Sequence, residues 1–421
     1  MERRFMSKCG VPIYSYLNMS LHTFHISLYL RLGSMFEDIS GITHFFEHIA
    51  IRNVNYAMGG ELYALLDKYG LEFNASTSSE MVQFYITGAS QHADVGARLI
   101  SRVLGELVLP SSEINRERER IRAEIREVDE PSSLAGFTQA KIFAGTKLER
   151  PITGTLGSTA RIGIRALEAF RKSALVAENI FVYVTGRVDD GVIARIGDGI
   201  DSLPIVHGER NDNLAPVPAE FGRRGAAIHV KGAPFTKLRF NFDIDMSRVT
   251  LPELDLLYDQ LLGGYASDFF IEMSEKRGLF YDVSGNVERY KNIGVFYFAF
   301  ELREARAIEA VEVALGILRR FKEEPISEDK LIRSSYVDNA MMLYDDYREL
   351  NFTFAYDNHI MGCGYESLED RRSHYETVTT ERLSELARMI FTPENLTVTV
   401  KGRKNKIDTE KIREIAINAL A

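Results

Sequence analysis

The sequence predicts an α+β fold built from two related helix-and-sheet domains, and three observations carry that expectation. Long amphipathic helical stretches are mixed with adjacent strand segments, a pattern that favours helices packed on sheets. An internal echo spans half the chain: "AENIFVYVTGR" at 177–187 returns as "PENLTVTVKGR" at 393–403, each time a helix, an Asn, an alternating strand and a terminal Gly. Upstream, "SSEINRERERIR" is echoed by "ISEDKLIRSS" at nearly the same offset. A unit of that length implies two domains of related design rather than a short-period solenoid. Between the halves, "GERNDNLAPVPAEFGRRG" mixes Pro, Gly and charge without periodicity, which reads as a linker at 208–225. The expected domains are therefore 1–210 and 225–421.

Each element has its own local reason. Val11 to Tyr16 and Phe24 to Leu32 favour strands, the second rich in aromatic and branched residues and ended by Gly33. Gly41 breaks the chain before a helix starting near Ile42. Gly59-Gly60 marks the next break, ahead of a helix carrying Leu62, Leu65 and Leu66 on one side. "LEFNASTSS" and "EMVQFYITG" read as neighbouring strands joined by a polar turn. "ADVGARLISRVLGELVL" reads as one amphipathic helix closed by Pro110. A long charged helix follows, with Ile114, Ile121, Ile125 and Val128 as its apolar stripe and Ser112 as candidate cap. No Gly-rich phosphate loop opens a helix after a strand, so a doubly wound nucleotide-binding fold competes weakly.

Composition narrows the function. A 421-residue chain with 45% hydrophobic and 26% charged residues has the make-up of an ordered globular protein. A formal charge of -9 speaks against a nucleic-acid backbone binder. Cys9 and Cys363 are the only cysteines, which excludes a disulfide-dense scaffold and an all-thiolate zinc site. No apolar signal core follows Met1 to Lys8, and the Phe24 to Leu32 run is too short to span a membrane, so a cytoplasmic location is expected.

The chemistry concentrates in "ITHFFEHIAI". His44 and His48 lie four residues apart, so one helical face presents both imidazoles. Glu47 beside them can reach a water near a metal without being a ligand. Two neutral histidines and a distant carboxylate leave a coordination position open, as catalytic zinc requires. The charged helix supplies that carboxylate: Glu117 and Glu124, seven residues apart, share roughly one side, and either could face the histidines. Taken alone, such an acidic series is more often a solvated face. Ser34, Ser267 and the two cysteines sit in no recognisable nucleophile turn, which disfavours a serine or cysteine peptidase.

"EDISGITHFFEH" followed by "ERERIRAEI" resembles the inverted-motif zinc peptidases, the family of pitrilysin, insulysin and mitochondrial processing peptidase. The resemblance implies Zn2+ held by His44, His48 and Glu124, with Glu47 as catalytic base and Glu117 supporting the metal from behind. It extends over most of both halves: "LEFNASTSSE" is similar to the strand beside the family's substrate cleft, "ITGTLGS" to a later loop, and "LLGGYASDFFIEMSEKRGLFYDV" to a substrate-binding turn, helix and strand. The length resembles the short two-domain branch, whose subunits pair, each forming half of a peptide-binding clamshell.

The implied activity is hydrolysis of extended peptides by a zinc metalloendopeptidase, with maturation of a peptide or bacteriocin precursor as one setting. The alternative is a catalytically weak structural or peptide-binding subunit of a peptidase complex. Phe73, Asn74 and Ala75 are candidates for aligning a peptide by strand pairing. Each also has a plain structural reading, Phe73 as a strand anchor and Asn74 as a turn residue. Tyr281 resembles the tyrosine of the family's distal Arg/Tyr pair, but Ser274 stands where the arginine is usual, with Arg277 one turn on. That departure raises a heterodimer with a related subunit as the expected assembly, and a homodimer as its competitor.

Overall fold

The computed structural model describes the chain except residues 129–132, 232–235, 281, 325, 327, 329–330, 332–341, 343–344 and 404–406. Its first sheet is made of β1 (Arg3–Met6), β2 (Pro12–Leu17), β3 (Thr23–Leu30), β4 (Glu72–Thr77), β5 (Val82–Ala89) and β6 (Ile180–Gly186), in the order β1-β2-β6-β3-β5-β4. The β2–β6 pair is parallel and the others are antiparallel. The second sheet contains β7 (Ala227–Lys231), β8 (Thr236–Asp245), β9 (Asp282–Arg289), β10 (Ile293–Leu302) and β11 (Leu396–Lys401), in the order β7-β11-β8-β10-β9. Here β7 and β11 form the parallel pair.

Apart from the extra edge strand β1, the two orders superimpose strand for strand. The echoed "IFVYVTG" and "LTVTVK" become β6 and β11, which lie parallel to β2 and β7 respectively. The chain is therefore α+β with two related helix-and-sheet halves. The upstream echo at 326–335 lies largely outside the described residues.

Two compact units emerge, each assembled from three stretches. The first is Met1–Glu130, Arg150–Asn213 and Met342–Leu368; the second is Pro131–Glu149, Leu214–Met341 and Glu369–Ala421. Against the contiguous 1–210 and 225–421 expected from sequence, each unit takes in one short stretch from the other half. Side-chain contacts explain both. In the first unit, Leu350, Phe354 and Ile360 pack on Tyr29, Phe181 and Tyr183. The Tyr29 hydroxyl donates to Asn351 Oδ1 at 2.9 Å, and Asn351 Nδ2 donates to the Tyr183 carbonyl at 2.9 Å. In the second, the helix Leu134–Ile142 brings the Thr138 hydroxyl to 2.6 Å from that of Thr399 on β11.

This covering changes how β3 reads. Its alternation predicts one apolar and one solvated face, yet nearly every residue is buried, His25 and Ser27 included. Polar side chains inside need partners, and Ser27 Oγ finds His25 Nε2 at 2.9 Å and Gln83 Nε2 at 3.1 Å. The opposite face is the apolar core, where Phe24, Ile26, Leu28, Phe84, Ile86, Val182 and Val184 meet the helices.

The first unit carries α1 (Ile42–Ala57), α2 (Leu62–Tyr69), α3 (Ala93–Ile100) and α4 (Ser111–Val128), of which α1 and α4 hold the candidate site. The stretch expected to be one helix up to Pro110 instead tightens into a 3-10 turn over Ser101–Leu104 and turns extended at Gly105. The buried Asn53 side chain accounts for the change of course. It donates to the Glu106 carbonyl and accepts from the Val108 N–H, both at 2.9 Å, holding the chain extended. Helix α4 begins at Ser111, so Ser112 lies within the first turn rather than capping it. Ile114 and Ile121 are buried as the stripe predicts. Among the described residues, no helix is long and apolar enough to cross a membrane.

Candidate metal centre

The start of α1 is fixed before any ligand is placed. Gly41 precedes it at φ 85°, a left-handed conformation suited to glycine. A Cβ there would lie 2.7 Å from the Thr153 carbonyl oxygen and 2.8 Å from Gly154 Cα, so "ITGTLGS" abuts the helix entrance. The buried Glu37 carboxylate accepts the Gly41 N–H at 2.7 Å and the Thr43 N–H at 3.2 Å, serving donors the first turn leaves open. Phe45, Phe46, Ile49 and Val54 bury the opposite side of α1 in the core. That anchoring turns His44 and His48 towards α4 and Glu47 towards the end of β4.

His44 Nε2 stands 3.5 Å from Glu124 Oε1, and His48 Nε2 stands 3.6 Å from Glu124 Oε2. One donor atom from each of the three residues lies within 4.8 Å of the others. These gaps are long for direct hydrogen bonds. They match ligands meeting a shared ion: two bonds of ~2.1 Å at a tetrahedral angle span about 3.4 Å. Nitrogen, nitrogen and carboxylate oxygen also suit zinc, so the residues present fit this metal. Among the described residues, no other group of three His, Cys, Asp or Glu side chains converges in this way.

The surroundings tune each group. Burial, reinforced by the charge of His48, pushes the His44 imidazole down to about 4, leaving it neutral near pH 7 and able to donate a lone pair. Burial also acts to lower His48, but its hydrogen bond to Glu117 and the charges of Glu47, Glu117 and Glu124 outweigh that and raise it. His48 Nδ1 reaches Glu117 Oε1 at 2.9 Å, which leaves Nε2 for the ion. Glu117 is 2% exposed. Burial alone would raise its carboxyl, yet the His48 bond and the charges of Arg120 and Arg52 hold it below the ordinary range. So Glu124 faces both imidazoles, and Glu117 backs one of them.

Glu47 sits on the same face, and its Oε2 accepts a 2.6 Å hydrogen bond from the Thr77 hydroxyl. Burial pushes its carboxyl up, Thr77 and His48 pull it back, and Glu124 adds to the rise. A carboxyl raised towards neutrality is suited to taking and returning a proton. Thr77 ends β4, which among the described residues pairs only with β5 and forms that edge of the sheet. Phe73 and Ala75 are half-buried against the core, as the anchor reading has it, while Asn74 is exposed and its Oδ1 accepts the Ala75 N–H at 2.9 Å.

The remaining sequence candidates belong to the second unit. Tyr281 lies outside the described residues. Arg277 is engaged locally, its Nη1 donating to the Glu272 carbonyl at 2.7 Å and to Glu272 Oε2 at 2.6 Å. Two residues of the first unit that pattern reading passed over are Thr77 and Arg52. Arg52 lies four residues beyond His48 on α1, the interval that places it on the ligand face, and that spacing was the available signal.

Comparison with known proteins shows the family. The model described as "Insulinase (Peptidase family M16)" matches residues 15–156, and that described as "Peptidase M16 inactive domain" matches 161–334. An uncharacterized zinc protease of Mycobacterium bovis is 22% identical over 407 residues, spanning 92% of this chain and 90% of the relative. The uncharacterized zinc protease YmxG of Bacillus subtilis is 22% identical over 398 residues, spanning 93% and 96%. Among solved structures, a putative M16-like peptidase from Alicyclobacillus acidocaldarius is similar in fold, with a TM-score of 0.82 at 18% identity over 96% of this chain and 98% of that one. A protease from Helicobacter pylori gives a TM-score of 0.80 at 18% identity, over 96% and 99%. With both matched segments in sequence order and the His-His-Glu cluster inside the first, the chain belongs to the M16 peptidase family.

Proposed function

We propose that this chain is a zinc-dependent endopeptidase acting on extended peptides. His44, His48 and Glu124 hold the metal, Glu47 acts as general base, and Glu117 supports His48. The observation that carries the reading is the 3.5 and 3.6 Å spacing of the two Nε2 atoms from the Glu124 carboxylate, with Glu47 on the same helical face. When bound, zinc would supply Lewis-acid polarisation of the attacking water and of the scissile carbonyl. Glu47 takes the water's proton on a carboxylate oxygen and returns it to the departing amine, while Thr77 holds Oε2. The open edge of β4 is suited to pairing with a substrate backbone, provided the Ala75 N–H exchanges Asn74 for the peptide.

A second feature bears on assembly. Ser274 lacks the charge of an arginine, and the Arg277 guanidinium is committed to Glu272. A distal cation for the substrate would then come from a related subunit. The same facts favour the second reading, a subunit of low intrinsic turnover within a peptidase complex. Zinc content by elemental analysis and peptide cleavage, on wild type and on His44→Ala/His48→Ala, test the first reading. Equal specific zinc in the double variant would end it. Full turnover by a purified homodimer, unchanged by an added cellular partner, would end the non-identical-subunit proposal.

A further inference from the structure

Helices α1 and α4 meet along a register that extends past the metal cluster. His44, His48 and Arg52 follow one another every four residues on α1, advancing ~6 Å per step. They meet α4 in reverse sequence order: His44 and His48 face Glu124, His48 faces Glu117, and Arg52 faces Glu117 and Glu113. The helices therefore pass antiparallel, and Arg52 is the next rung after the second imidazole.

The contacts at that rung are specific. Arg52 Nε and Nη2 donate to Glu113 Oε2 at 3.0 and 2.7 Å, and Nη1 donates to Glu117 Oε2 at 3.0 Å. The other Glu117 oxygen, Oε1, faces His48 Nδ1 at 2.9 Å. The last torsion of a glutamate is broad and roughly two-fold, so backbone placement alone does not orient the carboxylate. Arg52 closes that freedom by gripping one oxygen while the other meets the ring. Arg120 is a poor substitute, since its Nη1 lies 3.5 Å from the same oxygen on an arm that is 68% exposed.

We propose that Arg52 is a positioning residue of the metal centre. By bridging Glu113 and Glu117 it aims the Glu117 carboxylate at His48 Nδ1, and so fixes the ring with Nε2 directed at the ion. This rests on the reading of the cluster as a zinc site. A planar fork can hold two carboxylates at once, which the ammonium of a lysine does less well. Ties of this kind behind a ligand typically govern metal affinity by about 10- to 100-fold.

The test is zinc affinity of the purified full chain, by competition with a chromophoric chelator. The variants are Arg52→Ala, Arg52→Lys, Glu117→Gln and the double variant Arg52→Ala/Glu117→Gln, with circular dichroism confirming the fold. Arg52→Ala is expected to weaken zinc about tenfold and Arg52→Lys less. In the Glu117→Gln background, Arg52→Ala should add little, because its effect passes through Glu117. If Arg52→Ala does not fold, Arg52→Gln enters the same comparison. An unchanged affinity in Arg52→Ala, or an equal loss in both backgrounds, overturns the proposal while the zinc reading stands. Wild-type protein that takes up no zinc sinks both.

Discussion

Thr77→Val isolates the contribution of a single hydroxyl to the proposed base. The Thr77 Oγ1–Glu47 Oε2 bond is 2.6 Å, short and donated to a carboxylate that is largely buried. Hydrogen bonds to charged groups contribute ~1.5–3 kcal/mol. Valine keeps the branched shape but removes the donor, so Oε2 loses this partner and Glu47 is freer to rotate off the ligand face. At ~1.4 kcal/mol per decade, kcat/KM should fall between about tenfold and about a hundredfold. The assay is the initial rate on an internally quenched peptide library, with zinc measured on the same samples. Zinc should stay stoichiometric, because the hydroxyl serves Glu47 rather than His44, His48 or Glu124. Thr77→Ser restores the donor and should recover most of the rate. A Thr77→Val enzyme as fast as wild type, or a serine variant as slow as the valine one, would exclude this role for the hydroxyl.

Glu47→Gln should keep fold and zinc but lose about a hundredfold or more in cleavage, since the amide cannot take the proton; an unchanged rate rejects Glu47 as base. Gly41→Ala should destabilise the first unit by roughly 2–5 kcal/mol, combining a left-handed alanine with a Cβ driven into the 153–154 backbone, as read by chemical denaturation. A loss within experimental error would mean that the helix entrance yields more easily than its contacts imply. In the second unit, burial and then the charge of Asp255 push Asp259 up from 3.8 to about 6. The folded state therefore holds a proton that the unfolded chain releases, and stability from this group is present below pH 4 and lost as pH rises towards 6. Asp259→Asn should stabilise at pH 7 by on the order of 1 kcal/mol after solvent screening, and not at pH 4. A gain that is the same at both pH values contradicts the assignment.

Much of the candidate site is readable in one dimension because its parts are local. His44, Glu47 and His48 share a helical face through spacing alone, and Gly41 and Gly59-Gly60 bracket their helix through backbone chemistry. The echo of 177–187 in 393–403 likewise announces two related sheets, since each copy contains its own strand and flanking turn. Local pattern misleads where it meets distant partners. The stretch after Ile100 has helical periodicity, but Asn53 captures its backbone at Glu106 and Val108 from more than fifty residues away. β3 alternates like a half-exposed strand, yet residues 347–360 cover its polar face.

The motif and its helix set which atoms can bind a metal, because α-helical spacing converts sequence intervals directly into shared direction. Which acid completes the set is a different matter. Glu117 and Glu124 lie on roughly the same side of α4, and residue intervals leave either able to face the histidines. The antiparallel passage of α1 and α4 separates them, bringing the Glu124 oxygens to 3.5 and 3.6 Å from the two Nε2 atoms and Glu117 to 2.9 Å from Nδ1. The grip of Arg52 on Glu117 and of Thr77 on Glu47 is likewise a product of packing, across 65 and 30 positions of chain. Side-chain identity specifies what a group can donate or accept, and packing against elements remote in sequence determines which partner it meets.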